Sequence, residues 1–267
     1  MKGYNINGIN VREFGEGNKK SIIFVHAFPT CNRMWDPQVE ALEKEYNVIT
    51  YDLRGFGYSD MDYNLTMDSH VDDLFSILES SELDKPVICG LSMGGYITLR
   101  ALERGQDKFK AVVLCDTRSE ADANENKIKR AAQIAQIKGG GLNDFISTFI
   151  KGTMSESTLN GDEAKKNISG FLKEIISWQK PEGICTALMT LASRTDTTAF
   201  LEQLNIPTLI MVGEDDKLTP PELSKAMHSK IKDSQLKLIS GAGHFTNLEN
   251  RVEFNENLVN FLKGLNH

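Results

Sequence analysis

Short apolar runs at 21–25, 47–51, 86–89, 110–115, 206–212 and 235–239 alternate along the chain with amphipathic stretches. The runs are too short for buried helices and are bounded by polar or turn-forming residues, which marks them as core strands. Helical periods cover 35–45, 67–80, 94–104, 221–231 and 251–264; in the last, Phe254, Leu258, Phe261, Leu262 and Leu265 make one apolar stripe. Near the start, Asn7-Gly8 has the composition of a tight hairpin turn, so residues 3–14 are expected to form two antiparallel strands. Together these elements predict an α/β protein, with a mostly parallel eight-stranded sheet and helices on both faces.

From about Arg118 to Phe200 the alternation stops, and only helical periods remain, broken by Gly139-Gly140-Gly141 and Pro181. The expectation is a helical cap, or lid, inserted at 118–200 into a core domain made of 1–117 and 201–267. The insertion starts polar, from Ser119 to Lys129, and then carries Phe145, Ile146, Phe149, Ile150, Phe171, Leu172, Ile175, Ile176 and Trp178. Part of this apolar set has to pack on the core; the remainder, Trp178 included, is expected to line a substrate pocket, with the glycine triplet as a hinge.

Composition narrows the class. A chain of 267 residues with 40% hydrophobic and 25% charged residues can bury a large core. Its formal net charge of −7 argues against nucleic acid or an anionic membrane surface as partner. There is no apolar run long enough for a membrane-spanning helix and no apolar signal core at the start, so a cytoplasmic protein is expected. Cys31, Cys89, Cys115 and Cys185 are scattered without metal-ligand spacing and are expected to be reduced thiols. Monomer and homodimer remain equally compatible with the sequence.

The chemistry concentrates at Gly90-Leu91-Ser92-Met93-Gly94, which follows the run ending at Cys89 and precedes a helical period. A strand, a sharp turn and a helix force the apical serine toward positive φ, which the flanking glycines Gly90, Gly94 and Gly95 tolerate. That geometry exposes a hydroxyl at a helix N-terminus, where backbone N–H groups favour developing negative charge. A serine hydroxyl also needs a base, and the base an orienting carboxylate. Of the five histidines, His244 is best placed, in the glycine-rich loop after the run at 235–239. His26 belongs to an earlier loop, while His70, His228 and the terminal His267 read as surface or capping residues. For the acid, Glu214, Asp215 and Asp216 all follow the run at 206–212, and their position alone does not choose among them.

The order of serine, acid and histidine resembles that of the alpha/beta-hydrolases. Gly213-Glu214-Asp215-Asp216-Lys217-Leu218-Thr219-Pro220 is similar to the acid loop of that superfamily, and the resemblance selects Asp216. His26-Ala27-Phe28-Pro29 is similar to its His-Gly-x-Pro loop, which implies an oxyanion hole made by the backbone N–H groups of Phe28 and Met93, with Phe28 also touching substrate. Ala27 departs from the usual glycine and would strain the loop if that position required positive φ. Asp52-Leu53-Arg54-Gly55-Phe56-Gly57-Tyr58-Ser59 resembles a scaffold loop of the superfamily, its Asp–Arg pair expected to fix the loop by pairing internally.

The elbow, Asp116-Thr117-Arg118 and the stretch from Gly241 to Glu249 look most like the 3-oxoadipate enol-lactonase and carboxylesterase group. The resemblance implies a serine hydrolase of small carboxylic esters or lactones, working through an acyl-enzyme on Ser92 with neither metal nor organic cofactor. Two alternatives share the same residues: a perhydrolase or carbon–carbon bond hydrolase of the same fold, and a small-molecule-binding signalling protein that keeps the triad.

Overall fold

The computed structural model describes residues 1–265; His267 lies outside them. Eight strands form one sheet: β1 (Lys2–Ile6), β2 (Ile9–Phe14), β3 (Ser21–Val25), β4 (Asn47–Tyr51), β5 (Val87–Leu91), β6 (Ala111–Cys115), β7 (Thr208–Gly213) and β8 (Ser234–Ile239). Their spatial order is β1-β2-β4-β3-β5-β6-β7-β8. The expected hairpin is present, with Ile6 opposite Ile9 and positive φ at both Asn7 and Gly8. It joins the sheet through the antiparallel β2–β4 pair, and the pairs from β4 through β8 are parallel. β5 and β6 are buried along their whole length, which explains why both read as continuous apolar runs without alternation.

Helices α1 (Asp36–Leu42), α2 (Met67–Ser80) and α3 (Met93–Gly105) connect β3 to β4, β4 to β5 and β5 to β6. Five more, α4 (Asn124–Lys138), α5 (Leu142–Thr153), α6 (Glu156–Leu159), α7 (Glu163–Ser177) and α8 (Pro181–Ser193), fill the interval between β6 and β7 without a strand. α9 (Pro221–Lys230), α10 (Thr246–Glu249) and α11 (Arg251–Gly264) complete the chain. The stripe predicted for the last helix is its buried side, with Phe254, Leu258, Phe261 and Leu262 all in the core.

The two ends of the inserted helices are tied together. Thr197 N–H donates to the Ser119 carbonyl at 2.9 Å, and the Ser119 and Thr198 hydroxyls lie 2.9 Å apart. The polar start of the insertion is also less solvated than its sequence predicts. Asp122 is buried and accepts from Arg118 at 3.0 Å, from Arg194 at 2.7 Å and from Arg130. Burial raises the Asp122 carboxyl, but the facing guanidiniums outweigh it and hold the group below its ordinary range.

Two expectations need correction. His70 is fully buried in α2 instead of lying at the surface; burial lowers its pKa to about 3, so the ring is neutral. Arg54 pairs with Asp73 at 2.6 Å, and Asp52 instead accepts from Asn10, the Asn32 N–H and the Tyr58 N–H. The scaffold loop is therefore held by two separate carboxylates. Asp73 lies on α2, and a contact between distant segments is invisible in a local motif. All four cysteines are buried and free, with the Cys89 and Cys115 sulfurs 3.8 Å apart on adjacent strands. No helix among the described residues is long and apolar enough to cross a membrane.

Candidate active site

Ser92 sits between β5 and α3 with φ 53° and ψ −113°, a conformation that costs about 1–3 kcal/mol and persists only where surrounding contacts enforce it. Those contacts come from the neighbouring strand β6 and the turn that follows it. Ser92 N–H donates to the Cys115 carbonyl at 2.9 Å, and the Thr117 hydroxyl donates to the Ser92 carbonyl at 2.9 Å. The helix can start this close to the sheet because Gly94 has no side chain: a Cβ there would lie 2.1 Å from the Val25 carbonyl oxygen. The same contact packs the loop after β3, which carries Phe28, against the first turn of α3.

The side chains of Ser92, His244 and Asp216 form one hydrogen-bonded row. Ser92 Oγ lies 2.8 Å from His244 Nε2, and His244 Nδ1 lies 2.8 Å from Asp216 Oδ2. A proton on Nδ1, donated to the carboxylate, leaves Nε2 to accept from the serine hydroxyl. Asp216 is buried and well solvated by the protein: the Leu218 and Thr219 N–H groups donate to Oδ1 at 2.8 and 3.0 Å, and the Thr219 hydroxyl donates to Oδ2 at 2.6 Å. Burial raises this carboxyl, but His244 and the Thr219 donors outweigh it and keep the group below its ordinary value. Glu214 and Asp215 are exposed, so the row takes one of the three acids.

His244 is held from both sides. Its N–H donates to the Thr153 carbonyl of α5 at 2.7 Å. Glu249, also buried, accepts from the Gly243 and Phe245 N–H groups with one oxygen and from the Ser155 N–H with the other. Thr219 and Glu249 are the bracing groups that sequence inspection missed. Their signal was present in the acid-loop pattern ending Thr219-Pro220 and in the stretch closing on Glu249, but neither carries a charge pattern that announces a buried partner.

Phe28 follows β3, and its N–H makes no hydrogen bond to another protein group among the described residues. Met93 is the first residue of α3, where helix N–H groups lack intrahelical acceptors. Ala27 is buried and lies outside the left-handed region, so the alanine is accommodated without the strain a positive φ would bring. His26 is a buried structural residue. Burial lowers its pKa, and Nε2 accepts from the Leu53 N–H at 2.9 Å while Nδ1 faces the Ala27 carbonyl.

An aromatic cluster joins the insertion to this centre. Phe149 of α5 lies 5.9 Å from Phe28, 6.2 Å from Phe245 and 6.0 Å from Phe145, and Phe245 in turn lies 5.7 Å from the His244 ring. Trp178 is placed elsewhere. It is 52% exposed, packs edge-to-face on Tyr58 at 5.2 Å, and lines an open surface hollow with Gly57, Met61 and Lys180. The structure thus brings Phe28 into the aromatic cluster and leaves Trp178 at the surface, because the last turn of α7 buries Ile175 and Ile176 instead.

Fold and site together define an alpha/beta-hydrolase. The chain belongs to the alpha/beta hydrolase fold family, whose profile matches residues 20–151 and 174–251. It is similar to a thermophilic esterase from Thermogutta terrifontis, with 30% identity, a TM-score of 0.93 and complete coverage of both chains. A 3-oxoadipate enol-lactonase of Acinetobacter baylyi is 27% identical across 96% of this chain and 94% of its own. A bromoperoxidase from Bacillus anthracis has 30% identity and a TM-score of 0.84, over 96% of this chain and 95% of that one.

Proposed function

We propose that the protein is a serine hydrolase of small carboxylic esters or lactones. The observation that carries this reading is the row from Ser92 through His244 to Asp216, with the serine held at positive φ at the start of α3. Ser92 Oγ attacks the acyl carbon while His244 Nε2 takes its proton, and Asp216 stabilises the imidazolium and holds its orientation. The Phe28 and Met93 N–H groups bind the oxyanion; each such donor contributes roughly 3 kcal/mol to the transition state. His244 then protonates the leaving alkoxide, and water attacks the acyl-enzyme with the same base assisting. Neither a metal nor an organic cofactor takes part in these steps.

The residues at 118–200 act in this reading as a cap, and Phe28, Phe145, Phe149 and Phe245 form the wall against which the acyl group lies. An aromatic wall without a charged side chain suits a short apolar acyl chain. A second reading is favoured by likeness to the bromoperoxidase: hydrogen peroxide replaces water in deacylation, giving a peracid and free Ser92.

Initial rates on p-nitrophenyl esters from acetate to decanoate, and on an enol-lactone, test the proposal with wild type beside Ser92→Ala. Turnover should peak at a short acyl length and fall more than about a thousandfold in the variant. Turnover that survives the substitution overturns the mechanism. Addition of hydrogen peroxide separates the second reading, which predicts peracid formation at the expense of free acid.

A further inference from the structure

The end of β6 and the turn after it bond to the Ser92 backbone and to the two loops that carry Asp216 and His244, and one side chain there has no role in the chemistry above. Cys115 and Thr117 hold the backbone of Ser92 through its N–H and its carbonyl. Between them, Asp116 is fully buried at φ 44°, a left-handed conformation unfavourable to any side chain except where contacts impose it. One oxygen of its carboxyl accepts from the Gly213 N–H at 3.0 Å, at the point where β7 opens into the Asp216 loop. The other lies 2.5 Å from the Thr246 hydroxyl and 3.4 Å from the Thr246 N–H, two residues beyond His244.

The two loops that Asp116 spans are already pressed together. A Cβ on Gly213 would lie 2.1 Å from the Gly243 carbonyl oxygen, and Asp215 N–H donates to the Ala242 carbonyl at 3.0 Å. The carboxyl of Asp116 adds a side-chain link between the same two loops, from the Gly213 N–H to Thr246.

We propose that Asp116 is a positioning residue of the active site, whose carboxyl group ties the Asp216 loop to the His244 loop and sets the alignment of imidazole and carboxylate over Ser92. The inference rests on the serine-hydrolase reading. Burial, and next to it the negative charge of Asp216, raise the Asp116 carboxyl well above its ordinary range, against the donors from Thr246 and Gly213. The Gly213 N–H and the Thr246 hydroxyl and N–H all donate to it, so the carboxyl bridges the two loops through three hydrogen bonds. The titratable groups that interact with it are Asp216 and, on its own strand, Cys115. No lysine or arginine hydrogen-bonds to it among the described residues.

The test compares kcat and KM on p-nitrophenyl acetate for wild type, Asp116→Ala, Asp116→Asn and Ser92→Ala, with thermal unfolding recorded for each. Asp116→Ala should lose about thirtyfold or more in kcat with KM changed less than about threefold, because only alignment is lost. Asp116→Asn, which keeps a polar group facing both Gly213 and Thr246, should restore most of that loss. An Asp116→Ala enzyme with wild-type kcat overturns the proposal, as does an Asn variant that is folded and equally slow. Should the Ala variant fail to fold, Thr246→Val removes the hydroxyl partner and should lower kcat about tenfold; an unchanged kcat there is the overturning result. Activity persisting in Ser92→Ala is the separate failure of the underlying mechanism.

Discussion

The His244 N–H and the Thr153 carbonyl are joined by a hydrogen bond of 2.7 Å, which ties the imidazole loop to the end of α5. The proposed base of the reaction is thus held partly by the inserted helices and partly by the sheet, and anything that parts the two should disturb chemistry as well as stability.

Gly243 is the point where this junction is tightest. A Cβ there would lie 2.5 Å from the Thr153 carbonyl oxygen and 2.7 Å from the Ser155 nitrogen, backbone atoms that cannot turn aside. Gly243→Ala is expected to cost about 1–3 kcal/mol of stability, by analogy with overpacking. Because the wedge acts beside His244, kcat on a small ester should drop at least about tenfold, in the temperature range where the variant remains folded. Wild-type kcat in a folded variant would show that the junction does not position the imidazole.

Asp116 and Asp216 should act on pH stability with opposite signs. Asp216 has a folded pKa below its ordinary value of 3.8, so its contribution is present above about pH 4 and is lost as pH falls through the folded value. Asp116 has a folded pKa well above the same ordinary value; the native state keeps a proton the unfolded chain releases, and stability declines as pH rises from about 4 through the folded value. Melting temperatures from pH 3 to 9 check both. The pH slope above 4 should flatten in Asp116→Asn, and the acid-side slope should flatten in Asp216→Asn; parallel curves for all three proteins would refute the assignment.

The aromatic wall predicts how acyl length is read. Phe149 meets Phe28, Phe145 and Phe245, so Phe149→Ala opens space beside the proposed acyl site. The ratio of kcat/KM for hexanoate to that for acetate should rise about tenfold or more, since each accommodated methylene is worth about 1 kcal/mol or more. A chain-length profile identical to wild type would place the acyl group elsewhere.

Asp122 holds Arg118, Arg130 and Arg194 at the base of the inserted helices, and the Arg194 side chain is 2% exposed. Removing the carboxylate leaves a buried guanidinium without its counter-charge, which costs about 3–5 kcal/mol. Asp122→Ala should therefore show a clear loss in urea unfolding, whereas loss of an exposed pair such as Lys217–Glu156 should cost less than about 1 kcal/mol. Equal effects of the two substitutions would contradict the burial argument.

Where the determining information was local, the sequence displayed it. Alternating apolar runs marked the strands because a parallel sheet buries both faces, and Gly90, Gly94 and Gly95 around Ser92 marked the turn because only residues without bulk allow the helix to start against β3. Asp216 was selected among three adjacent acids by motif similarity, and it is the buried one of the three, hydrogen-bonded to Thr219 and His244.

Long-range contacts were a different matter. The pairing of Arg54 with Asp73, the contact of Arg194 with Asp122, the brace from Glu249 to Ser155 and the link from Asp116 to Thr246 all join segments far apart in the chain, and the burial of His70 depends on the same packing. A carboxylate has the same appearance in a sequence whether it faces water or fills the gap between two loops. The strength and sign of its effect depend on the dielectric and the donors around it. The sequence by itself determined the strands, the serine elbow and the loop that carries His244; packing alone decided which polar side chains are buried, and therefore which of them lie against the row.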